Sequence, residues 1–284
     1  MLPVLYSPKM VADSGSMSPS AAKPAAVIAD WIARELSIEI IEPDPVSVDD
    51  LARVHSRAYV EAVLASREPN GFGNTSPEVA ATLVYTSGSM VSAARLAIAR
   101  RTIACAPCSG FHHAGDQAAA FCTFNGLMVA ACALRAEGLA DRVAILDCDM
   151  HFGDGTERLI EKLHAAPWIR HFTAGADYYN REHAARFFSL LPGIVESMRD
   201  CDVVLYQAGA DPHVDDPLGG WLTTAELRRR DELVFSACRV HDLPVAWNFA
   251  GGYQVEEDGS IPKVLEIHEN TARAALGVIG QRSS

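Results

Sequence analysis

From about residue 100 onward, short apolar or β-branched runs alternate with longer amphipathic segments. Most of the short runs are almost continuously apolar, which is typical of strands that are covered on both faces of a parallel sheet. Such strand–helix alternation predicts a doubly wound α/β fold. The predicted strands are 102–106, 142–147, 169–173, 202–208 and 244–250, and the predicted helices are 125–137, 155–163, 184–199, 224–241 and 263–279.

The first hundred residues have a more helical pattern. Helices are predicted at 24–35, 49–54, 58–66 and 78–100, and strands at 4–6 and 38–41. The most turn-rich stretch, 68–77, is flanked by helical patterns on both sides and is interpreted as a surface loop. Because no repeat or linker interrupts the chain, we expect one domain over residues 1–284.

Charge and composition narrow the functional classes. The chain carries 24 Lys and Arg against 36 Asp and Glu, a formal net charge of −12. A protein that binds nucleic acid normally has a basic face, and the one dense basic run here is Arg228-Arg229-Arg230, so we expect no nucleic acid partner. The amino terminus lacks a signal-peptide pattern, and no stretch has the ~18 apolar residues of a membrane span. We therefore expect a cytoplasmic protein without a membrane partner.

Polar side chains cluster just past four of the predicted strands. In open parallel sheets, ligands bind outside the carboxyl ends of the strands, so these positions are the candidates for chemistry. After strand 102–106 come His112 and His113, and at the end of strand 142–147 come Asp147, Asp149, His151 and Asp154. After strand 202–208 come Asp211, His213, Asp215 and Asp216, and after strand 244–250 comes Tyr253.

The spacing of three of these residues predicts a metal site. Asp149 and His151 are two positions apart, so their side chains fall on the same side of an extended segment, and Asp211 arrives from a neighbouring loop. Two carboxylates and an imidazole suit Zn²⁺ with an open position for water or substrate. An oxygen-rich set of this kind also accepts Fe²⁺ or Mn²⁺.

Simpler interpretations remain open for the other candidates. Asp154 fits the N-cap of the following helix, His112 and His113 fit a solvated loop, and Tyr253 fits an aromatic side chain packed over a turn. The remaining polar residues of the third loop are interpreted as loop groups or supporting partners rather than ligands; they are His213, Asp215 and Asp216.

Several ordered motifs resemble one enzyme family. GFHHAGDQAAAFCTFN, VAILDCDMHFGDGT, AGADPHVDDPLGG and AGGYQ occur in the order and at the spacing of the zinc-dependent deacetylases, a family that includes histone deacetylases and acetylpolyamine amidohydrolases. The segment LARVHSRAYVEAVL, residues 51–64, is similar to a helix of the same family. The resemblance implies an arginase-deacetylase-like three-layer α/β fold, with a central, mostly parallel sheet flanked by helices.

The resemblance also implies an activity: removal of an acetyl or other acyl group from an N-acylated amine such as acetyl-lysine. It implies one catalytic zinc bound by Asp149, His151 and Asp211. Water activated at the zinc would attack the amide, with a histidine as general base and a tyrosine stabilising the oxyanion. The catalytic positions implied are His112 with its partner Asp147, His113 with its partner Asp154, and Tyr253.

Two further sets of residues are implied by the resemblance. The substrate tunnel would be formed by Phe121 and Ala120 on one side and Tyr178 or Tyr179 on the other. A structural potassium ion is expected at Asp147, Asp149, His151, Thr173 and Ala174.

The chain departs from the family pattern at two positions. Phe152 stands where many members have a second histidine, which should leave metal binding intact because the matched ligand is His151. Ala120 stands where a glycine often precedes the tunnel phenylalanine, and the added methyl group predicts a narrower or reshaped channel.

Three alternatives to acetyl-lysine hydrolysis remain. The closest rival in chemistry is an acetylpolyamine or other small-amide hydrolase on the same scaffold. An arginase-like enzyme needs a second metal with extra bridging aspartates, and the tandem histidines and Tyr253 speak against it. A catalytically silent acyl-binding module would keep the pocket without turnover. The oligomeric state cannot be inferred from the sequence.

Overall fold

A seven-stranded sheet with the strand order β2-β1-β3-β7-β6-β4-β5 crosses the protein. The structure is a computed structural model that describes residues 1–280, so the last four positions of the expected domain lie outside the described residues. Every neighbouring pair of strands is parallel. The strands are β1 Leu2–Leu5, β2 Ile38–Ile41, β3 Ile103–Ala106, β4 Val143–Asp147, β5 Ile169–Thr173, β6 Val203–Gln207 and β7 Val245–Asn248.

Helices connect the strands, as the amphipathic segments predict. Capping boxes start two of them, at Ser47 with Asp50 and at Thr223 with Glu226, and so satisfy backbone N–H groups that a helix start leaves free. The helices are α1 Lys23–Ala33, α2 Val48–Leu51, α3 Arg57–Leu64, α4 Pro77–Arg100, α5 Gly126–Ala136, α6 Asp154–Lys162, α7 Ala184–Glu196, α8 Thr224–Val240 and α9 Pro262–Ile279.

Two hydrophobic clusters, one on each face of the sheet, make the molecule three-layered. The alternation of side chains along a strand divides β4 between them: Ala144 and Leu146 join one cluster, Val143 and Ile145 the other. Helices α1, α7, α8 and α9 contribute to the first cluster, and α2 to α6 to the second. The expected three-layer α/β fold is confirmed, and its sheet is parallel throughout.

The first strand differs from its predicted position. It begins at Leu2 rather than Val4, although Pro3 cannot donate a backbone hydrogen bond. The structure accommodates this proline because β1 pairs with β3 at the single register position Val4 and Cys105, so little of the ladder depends on Pro3.

The parallel arrangement brings the carboxyl ends of the strands to one edge of the sheet. The loops that follow β3, β4, β6 and β7 therefore converge there, and they carry the candidate residues.

Within residues 1–280, no helix combines the length and the apolar character that crossing a bilayer requires.

Candidate metal centre

Asp149, His151 and Asp211 converge at the carboxyl edge of the sheet. One potential ligand atom from each lies within 4.8 Å of the others. His151 Nδ1 lies 3.2 Å from Asp149 Oδ1 and 3.1 Å from Asp211 Oδ2. Asp149 and Asp211 are buried, whereas His151 is partly exposed. The set therefore has two enclosed carboxylates and one imidazole that faces the opening.

Backbone N–H groups hold both carboxylates in place. Asp149 accepts hydrogen bonds from the amides of His151, at 3.0 Å, and Gly251, at 2.9 Å. Asp211 accepts a longer one from the amide of Met150, at 3.3 Å. These contacts link the loops after β4, β6 and β7, so the spacing of the candidate ligands is set by three parts of the chain.

Glycine is required where these loops meet. A Cβ atom on Gly251 would lie 2.2 Å from Asp211 Oδ2, and one on Gly209 would lie 2.6 Å from Asp211 Oδ1. Either contact is shorter than van der Waals packing permits. The two glycines thus allow the Asp211 carboxylate to fit between the backbones of neighbouring loops.

The close carboxylates perturb one another and the imidazole. Burial raises the pKa of Asp211 to about 7, and the charge of Asp149 adds to this increase. Hydrogen bonds to Asp149 and Asp211 raise the pKa of His151 to about 11. Concentrated negative charge of this kind, in a buried position, suits a cation.

His112 lies behind the candidate ligands and is paired with Asp147. Its Nδ1 is 2.8 Å from Asp147 Oδ2, and its Nε2 is 3.7 Å from Asp149 Oδ1. Burial lowers the pKa of His112, but the carboxylates of Asp147 and Asp149 outweigh it and bring the pKa to about 9. This geometry favours a protonated imidazole.

His113 has a different environment, although its ring centre is 4.1 Å from that of His112. Its Nδ1 is 2.7 Å from Asp154 Oδ1, and the other oxygen of Asp154 is 2.7 Å from Arg158 Nη1. Burial and the neighbouring His112 lower the pKa of His113. Asp154 is the first residue of α6 and makes no capping bond, so the N-cap interpretation is wrong.

Tyr253 is held over the same opening by its backbone. Its amide donates to Asp216 Oδ2 at 2.8 Å, and Asp216 also accepts from the amide of Leu218. Burial, with the charges of Asp211 and Asp149, raises the pKa of the Tyr253 hydroxyl, so it remains a proton donor at neutral pH. The interpretation of Asp216 as a supporting partner agrees with these contacts.

The other two polar residues of that loop are His213 and Asp215, and His213 lies beside Gln254, which follows Tyr253 in the sequence. His213 Nε2 is 2.9 Å from the hydroxyl of Thr224, and its Nδ1 accepts from the amide of Asp215 and lies 3.3 Å from Gln254 Nε2. The side chain of Asp215 is largely exposed. The ring nitrogens of His213 therefore contact Thr224, Asp215 and Gln254 and stabilise the loop, and they do not contact the candidate ligands.

Phe121 lies beside Tyr253, with 5.5 Å between the ring centres, and Phe72 lies 6.1 Å from Phe121 on the other side. Phe121 and Ala120 have left-handed backbones, with φ of 65° and 42°. Such angles favour glycine over residues with a Cβ atom. Ala120 itself is exposed, so its methyl group is not enclosed in a channel.

The two tyrosines expected as alternatives for the opposite wall differ in their exposure. Tyr178 is buried in the core, stacked on Trp221 and packed against Phe187. Tyr179 is exposed and contacts His183 edge-on. The hydrophobic layer under the loop encloses Tyr178, so Tyr179 is the more accessible of the two, and the opposite wall stays a prediction. Phe72, which the sequence analysis did not single out, is a second aromatic neighbour of Phe121, after Tyr253.

The residues expected to bind potassium are neighbours. Thr173 lies opposite Asp147 in the pairing of β4 with β5, and its hydroxyl accepts from the amide of Gly153 at 3.0 Å. Ala174 follows directly and is buried. Phe152 is partly exposed beside these residues, and potassium binding stays a prediction.

Two further buried residues support this edge of the sheet. Lys23 Nζ donates to the carbonyl oxygens of Ala250, at 2.6 Å, and Gly251, at 3.2 Å, and burial lowers the pKa of this lysine to about 8. His55 Nδ1 is 2.9 Å from the carbonyl oxygen of Gly115, and its Nε2 accepts from the amide of Asn125. His55 belongs to the VH motif, whereas nothing in the local sequence distinguishes Lys23.

The chain is similar to known proteins of one family. The sequence pattern of the histone deacetylase domain matches residues 19–179. An uncharacterised protein of Picosynechococcus sp. is 30% identical over 219 residues, which cover 69% of this chain and 71% of that protein. The chain belongs to the histone deacetylase family.

Other relatives of this deacetylase family member extend the match. A probable deacetylase of Methanothermobacter thermautotrophicus is 26% identical over 263 residues, covering 79% of this chain and 77% of that protein. The crystal structure of an acetylpolyamine aminohydrolase from Burkholderia pseudomallei superimposes with a TM-score of 0.75 at 20% identity, covering 98% of this chain and 99% of that one. The latter likeness concerns the fold.

Proposed function

We propose that this protein is a metal-dependent amidohydrolase that removes an acetyl or other acyl group from an N-acylated amine. The observation that carries the proposal is the convergence of three potential metal ligands with two histidine–aspartate pairs and a buried tyrosine hydroxyl. These groups come from four loops at one sheet edge. Together they supply what amide hydrolysis needs: a cation site, a proton acceptor and an oxyanion donor.

The donor set fits one divalent cation. Asp149, His151 and Asp211 would hold it, with Zn²⁺ as the expected ion and Fe²⁺ or Mn²⁺ as compatible ones. When bound, such an ion polarises the substrate carbonyl and lowers the pKa of water at the site. The partial exposure of His151 leaves the ligands accessible, and the ring centre of His113 lies 5.9 Å from that of His151.

We assign the proton transfers to His113. Its lowered pKa favours the neutral imidazole at neutral pH, and the Asp154 carboxylate orients Nδ1 as a donor, which leaves Nε2 to accept a proton. The same nitrogen can later protonate the leaving amine. His112, with its raised pKa and its Asp147 partner, would remain charged and favour the developing negative charge electrostatically.

Tyr253 is the proposed donor to the carbonyl oxygen as it becomes an oxyanion. Its hydroxyl keeps its proton, and the bond from its amide to Asp216 fixes the segment that presents it. A donor fixed in advance costs no reorganisation when the charge develops, which is the main source of such stabilisation.

The substrate we propose is a cationic N-acyl amine, such as an acetyl-lysine peptide or an acetylpolyamine. A cleft of about 470 Å³ opens beside Tyr253, and the carboxylates of Asp215 and Glu256 line it together with Met17 and Val255. Acidic groups at the entrance and the net charge of −12 favour a positively charged substrate.

We also propose the structural potassium site at Asp147, Asp149, His151, Thr173 and Ala174.

Acetate release from a panel of N-acetyl amines tests the proposal. The panel holds an acetyl-lysine peptide, free acetyl-lysine and an acetylpolyamine, with zinc-loaded wild-type protein and Asp149→Ala as the blank. We expect turnover that disappears in the blank, and its distribution over the panel identifies the substrate class. A wild type that holds one metal per chain yet releases nothing from acetyl and longer acyl substrates would favour the silent acyl-binding module.

A further inference from the structure

The basic run Arg228-Arg229-Arg230 is divided among three environments. Arg228 pairs with Glu232 on the surface of α8, and the Arg229 guanidinium lies over the ring of Phe188. Arg230 is completely buried, because the helical period turns it towards the sheet. A buried guanidinium is costly unless all its surroundings are arranged for it, so its contacts call for a specific explanation.

Arg230 bonds to the backbone of two loops at the carboxyl edge. Its Nη1 donates to the carbonyl oxygen of Cys148 at 3.1 Å and to that of Gly209 at 2.7 Å. Cys148 immediately precedes Asp149, and Gly209 lies two residues before Asp211. One nitrogen atom therefore joins the two segments that carry the carboxylate ligands of the candidate metal centre.

The two carbonyls lie where the sheet ladder has ended. Strands β4 and β6 pair up to Asp147 and Gln207, and the amide of Cys148 still donates to the carbonyl of Gln207. Beyond this point the chains separate to form the ligand loops. The guanidinium, which comes from α8, thus connects the two segments beyond the sheet. Backbone hydrogen bonds make the same kind of connection between neighbouring strands within the sheet.

Asp231 holds the guanidinium in position and balances its charge. Arg230 Nε donates to Asp231 Oδ1 at 2.9 Å, and the same carboxylate accepts from the hydroxyls of Tyr206 and, at 2.6 Å, Thr271. The Tyr206 ring lies under the guanidinium, 6.0 Å from it. Because the Tyr206 hydroxyl holds the same Oδ1 from β6, whereas Thr271 bonds the other oxygen, the direction in which Nη1 points is fixed from the sheet.

We propose that Arg230 is a positioning residue that sets the separation of the Asp149 and Asp211 carboxylates and thereby the affinity of the site for a divalent cation. The inference rests on the proposed function of these residues as metal ligands. The hydrogen bonds of Arg230 go to Asp231 and to the two backbone carbonyls rather than to the side chains of the candidate ligands. It acts through the two backbone carbonyls, as groups that support metal ligands commonly do.

Cobalt binding to Arg230→Lys tests this role. Lysine keeps the positive charge beside Asp231, but its single ammonium cannot reproduce the planar fork that reaches Asp231 and both carbonyls. We expect the dissociation constant of Co²⁺, followed by its visible absorption spectrum in a titration of metal-free protein, to rise about 10-fold. Unchanged cobalt affinity in a folded Arg230→Lys protein would overturn the proposal.

Thr271→Val is the matched control for stability. It removes one hydrogen bond to Asp231 but leaves every contact of Arg230 in place. We expect it to lower the melting temperature of the metal-free protein while the cobalt affinity stays at the wild-type value. If Thr271→Val weakens cobalt binding as much as Arg230→Lys does, the effect reflects general destabilisation and the positioning role is wrong.

A double variant covers the case in which Arg230→Lys does not fold. Arg230→Met with Asp231→Asn removes both charges together, which avoids leaving one of them buried and unpaired. We expect weaker cobalt binding in this variant too, and wild-type affinity would overturn the proposal. A wild type that binds no cobalt would contradict the proposed metal centre itself, whereas a wild type that binds it beside an unaffected Arg230→Lys would contradict the positioning role alone.

Discussion

The body of the sheet and its carboxyl edge are both buried, but they are built from opposite kinds of side chain. Within the sheet, β4 and β6 run through apolar residues such as Leu146 and Val204. A few residues further along the chain, Asp149 and Asp211 are equally enclosed. The body gains stability from packing that many residues share, whereas the edge depends on a small number of charges with specific partners.

The partners at the edge come from distant parts of the chain. Lys23 arrives from the start of α1, Arg230 from α8, and His112 from the loop after β3. Each places positive charge, or hydrogen-bond donors, against backbone or carboxylate oxygen. Stability and function are therefore separable here: a substitution in the body should change unfolding, and one at the edge should change metal binding or turnover.

Among substitutions in the body of the sheet, Leu146→Ala has the largest expected effect. The side chain is fully buried against the first hydrophobic cluster, so its truncation leaves a cavity as well as lost apolar contact. We expect the free energy of unfolding to fall by about 2–5 kcal/mol. Urea denaturation measures this, and the metal stoichiometry of the folded variant should stay at the wild-type value. Loss of metal from a fully folded Leu146→Ala variant would show that stability and metal binding are not separable.

Tyr253→Phe is the corresponding test of the edge. The change removes one hydroxyl and keeps the ring against Phe121, so stability should hardly change. We expect kcat to fall roughly 10²–10³-fold, with little change in KM, because the lost hydrogen bond forms mainly in the transition state. Steady-state kinetics on the best panel substrate measures it. Near-normal kcat would contradict the assigned role.

His55 predicts how stability depends on pH. Burial lowers its pKa to about 4 from the usual 6.5, so the unfolded chain binds a proton that the folded protein resists. The stability from the neutral ring is complete above pH 6.5 and is lost as the pH falls towards 4. Its size is on the order of 3 kcal/mol.

Chemical denaturation of wild type and His55→Gln over this pH range measures that contribution. The two unfolding free energies should approach each other between pH 6.5 and 4. Parallel curves would show that the folded protein binds a proton at His55 as readily as the unfolded chain does, which would contradict the lowered pKa.

Ala120→Gly is the smallest expected effect. The left-handed φ of 42° costs an alanine about 1 kcal/mol or more, while glycine adds unfolded-chain entropy worth about 0.4–1 kcal/mol. We expect a net gain in stability of roughly 0.5 kcal/mol and unchanged turnover of an acetyl-lysine peptide, since this residue is exposed. A marked rise in turnover would restore the narrowed-channel hypothesis.

The sequence predicted the body of the sheet well and the edge in part. Continuous apolar runs identify the central strands because burial on both faces leaves no other composition. Asp149, His151 and Asp211 were predictable because they follow strand ends, where the loops of a parallel sheet must meet. Their meeting within 4.8 Å confirms that expectation of proximity.

Other features of the edge depend on packing between distant segments and leave no local signal. The burial of Arg230 is hidden in a run of three arginines, and Lys23 follows an ordinary alanine-rich stretch. Tyr178 illustrates the converse, since two adjacent tyrosines look equally suited to a channel wall until the core takes one of them. Periodicity indicates which face a residue occupies, but not which partner it meets there.

The most direct test of the central claim is acetate release by metal-free protein as Zn²⁺ is added in measured equivalents. We expect activity to rise linearly and to reach a plateau at one equivalent per chain, because Asp149, His151 and Asp211 would form a site for a single ion. Activity without metal, or a plateau at two equivalents as in an arginase-like centre, would contradict it.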